Sequence, residues 1–247
     1  MKFVGIDLGW TSGASGICCV DWRDRELHLQ HLTQATEIDA ILALIDTWIT
    51  PETAALIAVD APTLIPNETG MRLPDKLTHK HFGRYHAGCY PANLKRPFAQ
   101  RTINLGLSLE KRGFRHADTI QPRQKGRYQI EVFPHPAMVN LFQLSRILKY
   151  KKGRLGDRKI GLNQLRNYIF GVLPLLEPAL NLSNIADYTA LTVDFENLTG
   201  QQTKAVEDQL DGLICAYIGA YWWYWGNAKN LVLGDISTGY IVIPAGV

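Results

Sequence analysis

Three apolar runs in this chain each end on a carboxylate, and this recurrence constrains the fold more than any other feature. Val4-Gly5-Ile6 meets Asp7, Ala55-Leu56-Ile57-Ala58-Val59 meets Asp60, and Tyr128-Gln129-Ile130 meets Glu131. An ionised carboxylate at the end of a buried strand is costly unless it is paired or bound to metal. One such residue reads as a structural hydrogen-bonding partner. Three of them put three acids at a common rim, because strand ends of one sheet lie side by side where sites form.

The stretches between these runs supply the other elements. Ser12-Gly13-Ala14-Ser15-Gly16 is turn chemistry, followed by Ile17-Cys18-Cys19-Val20 and the alternating Leu27-His28-Leu29-Gln30-His31-Leu32. The first three strands are therefore expected as consecutive antiparallel hairpins. Ile38, Ile41, Leu42, Leu44, Ile45 and Trp48 recur at helical spacing before Pro51. The run at 55–59 is apolar on both faces, which suits a fourth strand parallel to the first. Asp7 and Asp60 would then lie on adjacent strands, within reach of one shared ion. A fifth strand is expected at 128–133, helices at 101–112, 137–149, 158–173 and 203–225, and short strands at 230–233 and 240–243. The expected architecture is α/β: a mixed five-stranded sheet flanked by helices, with residues 63–127 inserted between strands four and five. At 247 residues, all of this fits one domain.

Net charge is only +3, but its distribution is uneven. Residues 72–168 hold 21 of the 26 Lys and Arg but five of the 23 Asp and Glu, together with five of the seven His. Phe82, Tyr85, Tyr90, Phe98, Phe114 and Tyr128 are interleaved with these charges. A basic stretch alone is usually a solvated face. Cations for phosphates and rings for bases together suit a polyanion, so nucleic acid is the expected partner. The four cysteines have neither zinc-pair nor disulfide spacing, which fits reduced thiols in the cytoplasm. The apolar stretch 213–225 falls short of the ~20 residues that a membrane span needs. His79, His81 and His86 with Cys89 lack a second pair at zinc-finger spacing, and His135 between prolines reads as structural. Trp222-Trp223-Tyr224-Trp225 reads as core or as a surface for self-association.

Asp208 and Asp211 stand three apart on the last expected helix, so both project from one face, where a cation would offset their repulsion. Gly212 follows, a costly residue inside a helix that permits close backbone approach. With this late acidic helix, the order of elements is that of the ribonuclease H-like superfamily. More narrowly, the chain resembles the domain-of-unknown-function 429 family, predicted nucleases of that fold. The resemblance rests on Val4-Gly5-Ile6-Asp7-Leu8-Gly9-Trp10, Ile57-Ala58-Val59-Asp60-Ala61-Pro62 and Arg72-Leu73-Pro74-Asp75. It continues through Glu131-Val132-Phe133-Pro134-His135-Pro136-Ala137, Tyr150-Lys151, Asp208-Gln209-Leu210-Asp211 and Gly239-Tyr240-Ile241-Val242-Ile243-Pro244. Where the family usually has alanine after the last aspartate, this chain has Gly212.

The resemblance implies a metal centre of Asp7, Asp60, Glu131 and Asp211, with Asp208 at it. Hard oxygen ligands suit Mg²⁺ or Mn²⁺. Two such ions would serve the in-line displacement of a nucleic-acid phosphodiester, with Arg72, Arg84, Lys151 or Lys152 neutralising the phosphate. Two other readings share these residues. One is a nucleic-acid or anion binding protein without catalysis. The other is an actin-like kinase relative, since Asp7-Leu8-Gly9-Trp10-Thr11-Ser12-Gly13 resembles a phosphate-gripping hairpin; those enzymes need two such domains, and this chain has strands for one.

Overall fold

A computed structural model describes residues 1–246. In chain order the elements are β1 (Lys2–Asp7), β2 (Ser15–Arg23), β3 (Glu26–Ala35), α1 (Ile38–Trp48), β4 (Ala55–Val59), α2 (Leu73–Phe82), α3 (Ala99–Lys111), β5 (Arg115–His116) and β6 (Arg127–Glu131). They continue with α4 (Pro134–Leu141), α5 (Leu155–Val172), β7 (Leu180–Asn181), α6 (Thr189–Thr192), α7 (Gly200–Trp225), β8 (Asn230–Asp235) and β9 (Gly239–Pro244).

One mixed sheet runs in the order β5-β6-β4-β1-β2-β3-β7. β1, β2 and β3 form an antiparallel meander, β4 pairs parallel to β1, and β6 pairs parallel to β4. The sheet thus has seven strands where the sequence predicts five. The additions, β5 and β7, are two-residue edges pairing parallel to β6 and β3. Two residues are too few to show the alternation that marks a strand. β8 and β9 form a separate hairpin.

Side chains alternate across this sheet, as the pleat requires. Phe3, Cys18, Val20, Leu56, Ala58, Tyr128 and Ile130 enter one core, shared with α7, α4 and α5. Val4, Ile6, Ile17, Cys19, Ile57 and Val59 enter the other, with Ile41 and Ile45 of α1 and Leu105 and Leu109 of α3. Within the span 63–127, α3 is therefore part of a flanking layer, while Arg72 and Tyr90 reach the rim beside Asp60 and Glu131. Trp222, Trp223 and Tyr224 lie in the core. α4 begins at Pro134, a favoured residue in a first helical turn, and ends well short of the predicted residue 149. Gln143, just past it, takes a left-handed φ of 52° that no helix continues.

The longest helix, α7, lies almost on the strand backbones. A Cβ on Gly16 would stand 1.6 Å from the Asp208 carbonyl oxygen, and one on Gly5 would stand 2.1 Å from both the Gly212 oxygen and the Ala216 nitrogen. A Cβ on Gly212 would come within 2.8 Å of the Gly16 carbonyl carbon. No side chain fits between these backbones, so glycine on both elements lets the acidic turn of α7 settle against β1 and β2.

Gly16→Ala should accordingly force the helix off the sheet. We expect a loss of about 3 kcal/mol or more in urea unfolding, at the upper end of overpacking costs. Gly171→Ala, in the last turn of α5 with open space around it and no left-handed φ, should gain about 0.4–1 kcal/mol by restricting the unfolded chain. Equal effects at both positions would contradict the close-packing account.

Candidate metal centre

Register decides which acids meet. Ile6 pairs with Val59, and Val59 with Glu131; cross-strand partners share a face, so Glu131 points with Ile6 and Val59 toward α3. Gln129 of the same strand does likewise, donating to the Gly106 and Phe114 carbonyls at 3.1 and 3.0 Å. Asp7 and Asp60 each follow one residue later on their own strands and belong to the opposite face, under α7. The backbone N–H of Asp60 donates to the Ile6 carbonyl at 2.8 Å, which keeps the two aspartates side by side.

Asp211 completes the group from above. It is fully buried, and its Oδ1 accepts a hydrogen bond from the Tyr150 hydroxyl at 2.7 Å. Lys151 Nζ stands 2.8 Å from Asp211 Oδ2 and 3.8 Å from Asp7 Oδ1. The shorter contact is an ion pair outside hydrogen-bond geometry, since Oδ2 is buried and meets no aligned donor. Burial raises the Asp7 carboxyl to about 7; Lys151 works against that rise, while Asp211 and Asp208 add to it. Asp60 is raised as well, by burial first and then by Asp7 and Asp211, against the opposing pull of Lys151. Burial opposes the charge on Lys151 itself, but Asp211 and Asp7, joined by Tyr150 and Asp60, outweigh it and hold the amine protonated.

The remaining predicted residues sit around this cluster. Asp208 is held by Lys204 at 2.6 Å and by Gln34 Nε2 at 3.1 Å. The Lys204 ammonium also reaches Glu207 at 2.7 Å, and Glu207 takes Arg158 at 3.1 Å. Glu131 receives both terminal nitrogens of Arg72 at 2.7 Å. Arg72 is itself buried and bonds Asp75 through Nε at 3.2 Å and Nη2 at 2.9 Å, and the Leu64 carbonyl at 2.9 Å. Burial works against its charge, and the Glu131 and Asp75 carboxylates overcome that and raise its pKa. With its donors so engaged, Arg72 braces the rim from inside. Arg84 lies outside the cluster, over the Tyr85 ring at 4.6 Å, and Lys152 is exposed. His135 is pushed down to about 4 by burial, helped by Lys151, so it is neutral near pH 7.

Among the described residues, no three carboxylate, histidine or cysteine side chains already converge as a metal cage. The donor set still suits a hard cation: Asp7, Asp60 and Asp211 crowd together, two of them with raised pKa, and a buried Asp211 oxygen lacks a hydrogen bond. Neither Lys204 nor the brace of Asp75 on Arg72 was singled out from the sequence, although the signal was local: Lys204 stands four residues before Asp208 and Arg72 three before Asp75, spacings that meet on a helix. Trp10 was not singled out either. Trp10 is 38% exposed, packs against Phe98 and Tyr90 at 4.5 and 5.7 Å between ring centres, and lines a cavity of about 50 Å³ together with Asp60 and Glu131. Arg96 covers the Tyr90 ring at 5.1 Å. No helix among the described residues is long and apolar enough to cross a membrane.

The family model described as Protein of unknown function (DUF429) matches residues 5–235. No curated protein matches the chain. Among solved structures, Thermus thermophilus RuvC is 14% identical, with 89% of this chain and 98% of that chain covered and a TM-score of 0.37. T. thermophilus RuvC in complex with a Holliday junction substrate is 12% identical, with 89% and 97% covered and a TM-score of 0.33. Likeness at this level carries no weight for function, which must come from the residues themselves.

Two outcomes follow from the geometry. Arg72→Ala should cost about 3–5 kcal/mol in chemical unfolding, because it strands two buried carboxylates; a loss below about 1 kcal/mol would show that Arg72 is not the brace. The second outcome concerns Asp7 in metal-free protein. A carboxyl whose pKa rises on folding takes up a proton that the unfolded chain releases, so its stabilising share is lost as pH climbs from the ordinary carboxylate range through about 7. Asp7→Asn abolishes that loss. The melting temperature of the variant relative to the parent should therefore grow between pH 4 and 8; a difference independent of pH would show that Asp7 is not perturbed.

Proposed function

The chain belongs to the DUF429 family, whose match spans every acid of the rim, and we propose that it is a metal-dependent nuclease acting on nucleic-acid phosphodiesters. The observation that carries this reading is that Asp7, Asp60 and Asp211, brought from β1, the end of β4 and α7, neighbour one another around a single ammonium that contacts Asp211 and Asp7. The order of the central strands, with β4 and β6 parallel on one side of an antiparallel meander, fits a ribonuclease H-like core. In this reading Asp7, Asp60 and Asp211 hold Mg²⁺ or Mn²⁺, Asp208 supports them through Lys204 and Gln34, and Glu131 is fixed alongside by Arg72. A bound ion supplies Lewis acidity and a lowered pKa of coordinated water. Its charge would also offset the mutual repulsion that adds to burial in raising the Asp7 and Asp60 pKa values.

The chain's own residues do the rest. Trp10 and Tyr90 offer ring faces to an unstacked base at the edge of the acid site, with Arg96 beside them. Lys151 meets the charge of the phosphate. Hydrolysis joins the water oxygen to phosphorus, breaks one phosphorus–ester oxygen bond, and leaves a phosphomonoester and a hydroxyl.

The test pairs Mn²⁺ calorimetry with cleavage of single-stranded, double-stranded and branched oligonucleotides in Mg²⁺ and Mn²⁺. The parent should cleave at least one of them, with binding that weakens steeply as salt rises. Asp7→Asn should lose cleavage and bind metal far more weakly while remaining folded, and Asp208→Asn should slow the reaction less than Asp211→Asn. Unchanged metal affinity in Asp7→Asn would sink the metal site. Metal binding without cleavage of any substrate would favour a nucleic-acid binding protein.

A further inference from the structure

A nuclease site with two divalent ions brings four positive charges to its acids. The acids of this rim are not free to receive so many. Glu131 is already paired through two contacts with Arg72, and Asp208 is paired with Lys204 at 2.6 Å. That leaves Asp7, Asp60 and Asp211, and among these three the ammonium of Lys151 is already seated, 2.8 Å from Asp211 and 3.8 Å from Asp7. Deprotonated, as metal ligands must be, the three acids bring three negative charges against one fixed positive charge, a deficit of two that one divalent ion balances. A second ion would make the site net positive before any phosphate arrived.

Lys151 is not a surface lysine that happens to lean inward. Its neighbour Tyr150 is fully buried, and the Tyr150 hydroxyl is bonded to Asp211 Oδ1. The Tyr150 carbonyl accepts from Arg158 Nε of α5 at 3.2 Å. Gly161 of α5 lets the same segment lie flat on the helix, since a Cβ there would stand 2.3 Å from the Lys149 carbonyl oxygen. The segment before Lys151 is thus tied to α5 through its backbone and to α7 through a side chain, and the ammonium is delivered to a set position.

We propose that Lys151 supplies built-in one of the positive charges that a two-ion nuclease takes from metal, so that this protein binds a single divalent ion through Asp7, Asp60 and Asp211. The inference rests on the reading of the rim as a metal-dependent nuclease site, and it replaces the two-ion arrangement expected from the family resemblance. Lysine suits this place because its compact ammonium acts as a point charge among carboxylates. Being covalently attached, it is present before metal and substrate bind.

The experiment measures how many ions bind. The full chain is titrated with Mn²⁺ by calorimetry, and the saturated protein is read by electron paramagnetic resonance, with the cleavage assay run on the same preparation. One ion per chain is expected, with the hyperfine pattern of an isolated Mn²⁺. Lys151→Met keeps the length and removes the charge. It should bind the first ion more tightly by about tenfold or more, the size of effect that partners of metal ligands carry, or admit a second ion. Lys151→Arg, which keeps the charge, should still bind one. Two ions in the parent, or an exchange-coupled Mn²⁺ pair, would overturn the role of Lys151; if that protein also cleaves, the nuclease reading stands without it. Unchanged stoichiometry and affinity in Lys151→Met would overturn it as well. A parent that binds no Mn²⁺ would remove both. Should Lys151→Met fail to fold, the parent's stoichiometry and spectrum decide alone.

Discussion

The site depends on how near α7 comes to the sheet. A helix laid on a sheet normally keeps a layer of interdigitated side chains between the two backbones. Here Gly5 and Gly16 on the strands and Gly212 on the helix remove the intervening atoms. Asp211 therefore meets the same ammonium as Asp7, and Asp208 reaches Gln34 on β3. The glycine that costs α7 helical stability is the residue that allows this approach.

Given that approach, the sheet's register sorts the acids. Asp7 and Asp60 project toward α7, whereas Glu131, level with Val59, projects away. A buried carboxylate on the far face needs its own cation, and Arg72 meets it with two nitrogens while Asp75 holds the arginine in place. The rim is a row of acids in three electrostatic states: Glu131 neutralised by a buried arginine, Asp208 by a half-exposed lysine, and Asp7, Asp60 and Asp211 sharing one ammonium among them.

Much of this was legible in the sequence, for local reasons. Apolar runs ending in Asp7 and Asp60 mark parallel buried strands because only a strand covered on both faces tolerates continuous Leu, Ile and Val. The spacing of Asp208 and Asp211 places them on one helical face wherever the helix begins. Helix α2 was not legible: its buried residues include Asp75 and Thr78 among histidines and lysines, so it has no apolar stripe to recognise. The different surroundings of Glu131 and Asp60 were not legible either. A register offset of one residue between two strands leaves no mark on composition or periodicity, yet it turns a side chain to the other face. Lys151 lies in an irregular segment whose path is set by the bond of Tyr150 to the distant Asp211 and by the close approach of Lys149 to Gly161.

The separation of Asp7 and Asp211 has a consequence for how the protein comes into being. One stands on the first strand and the other near the middle of α7, 204 residues later, so everything between must be synthesised before they can meet. A ribosome-bound chain that has folded β1 to β4 presents Asp7 and Asp60 but no Asp211. Docking of α7 is thus a late, non-local step of the kind that slows folding. It also means that an unfinished or clipped chain carries no complete acidic centre. On the proposed nuclease reading, cleavage would be withheld, by topology alone, until α7 has emerged and docked.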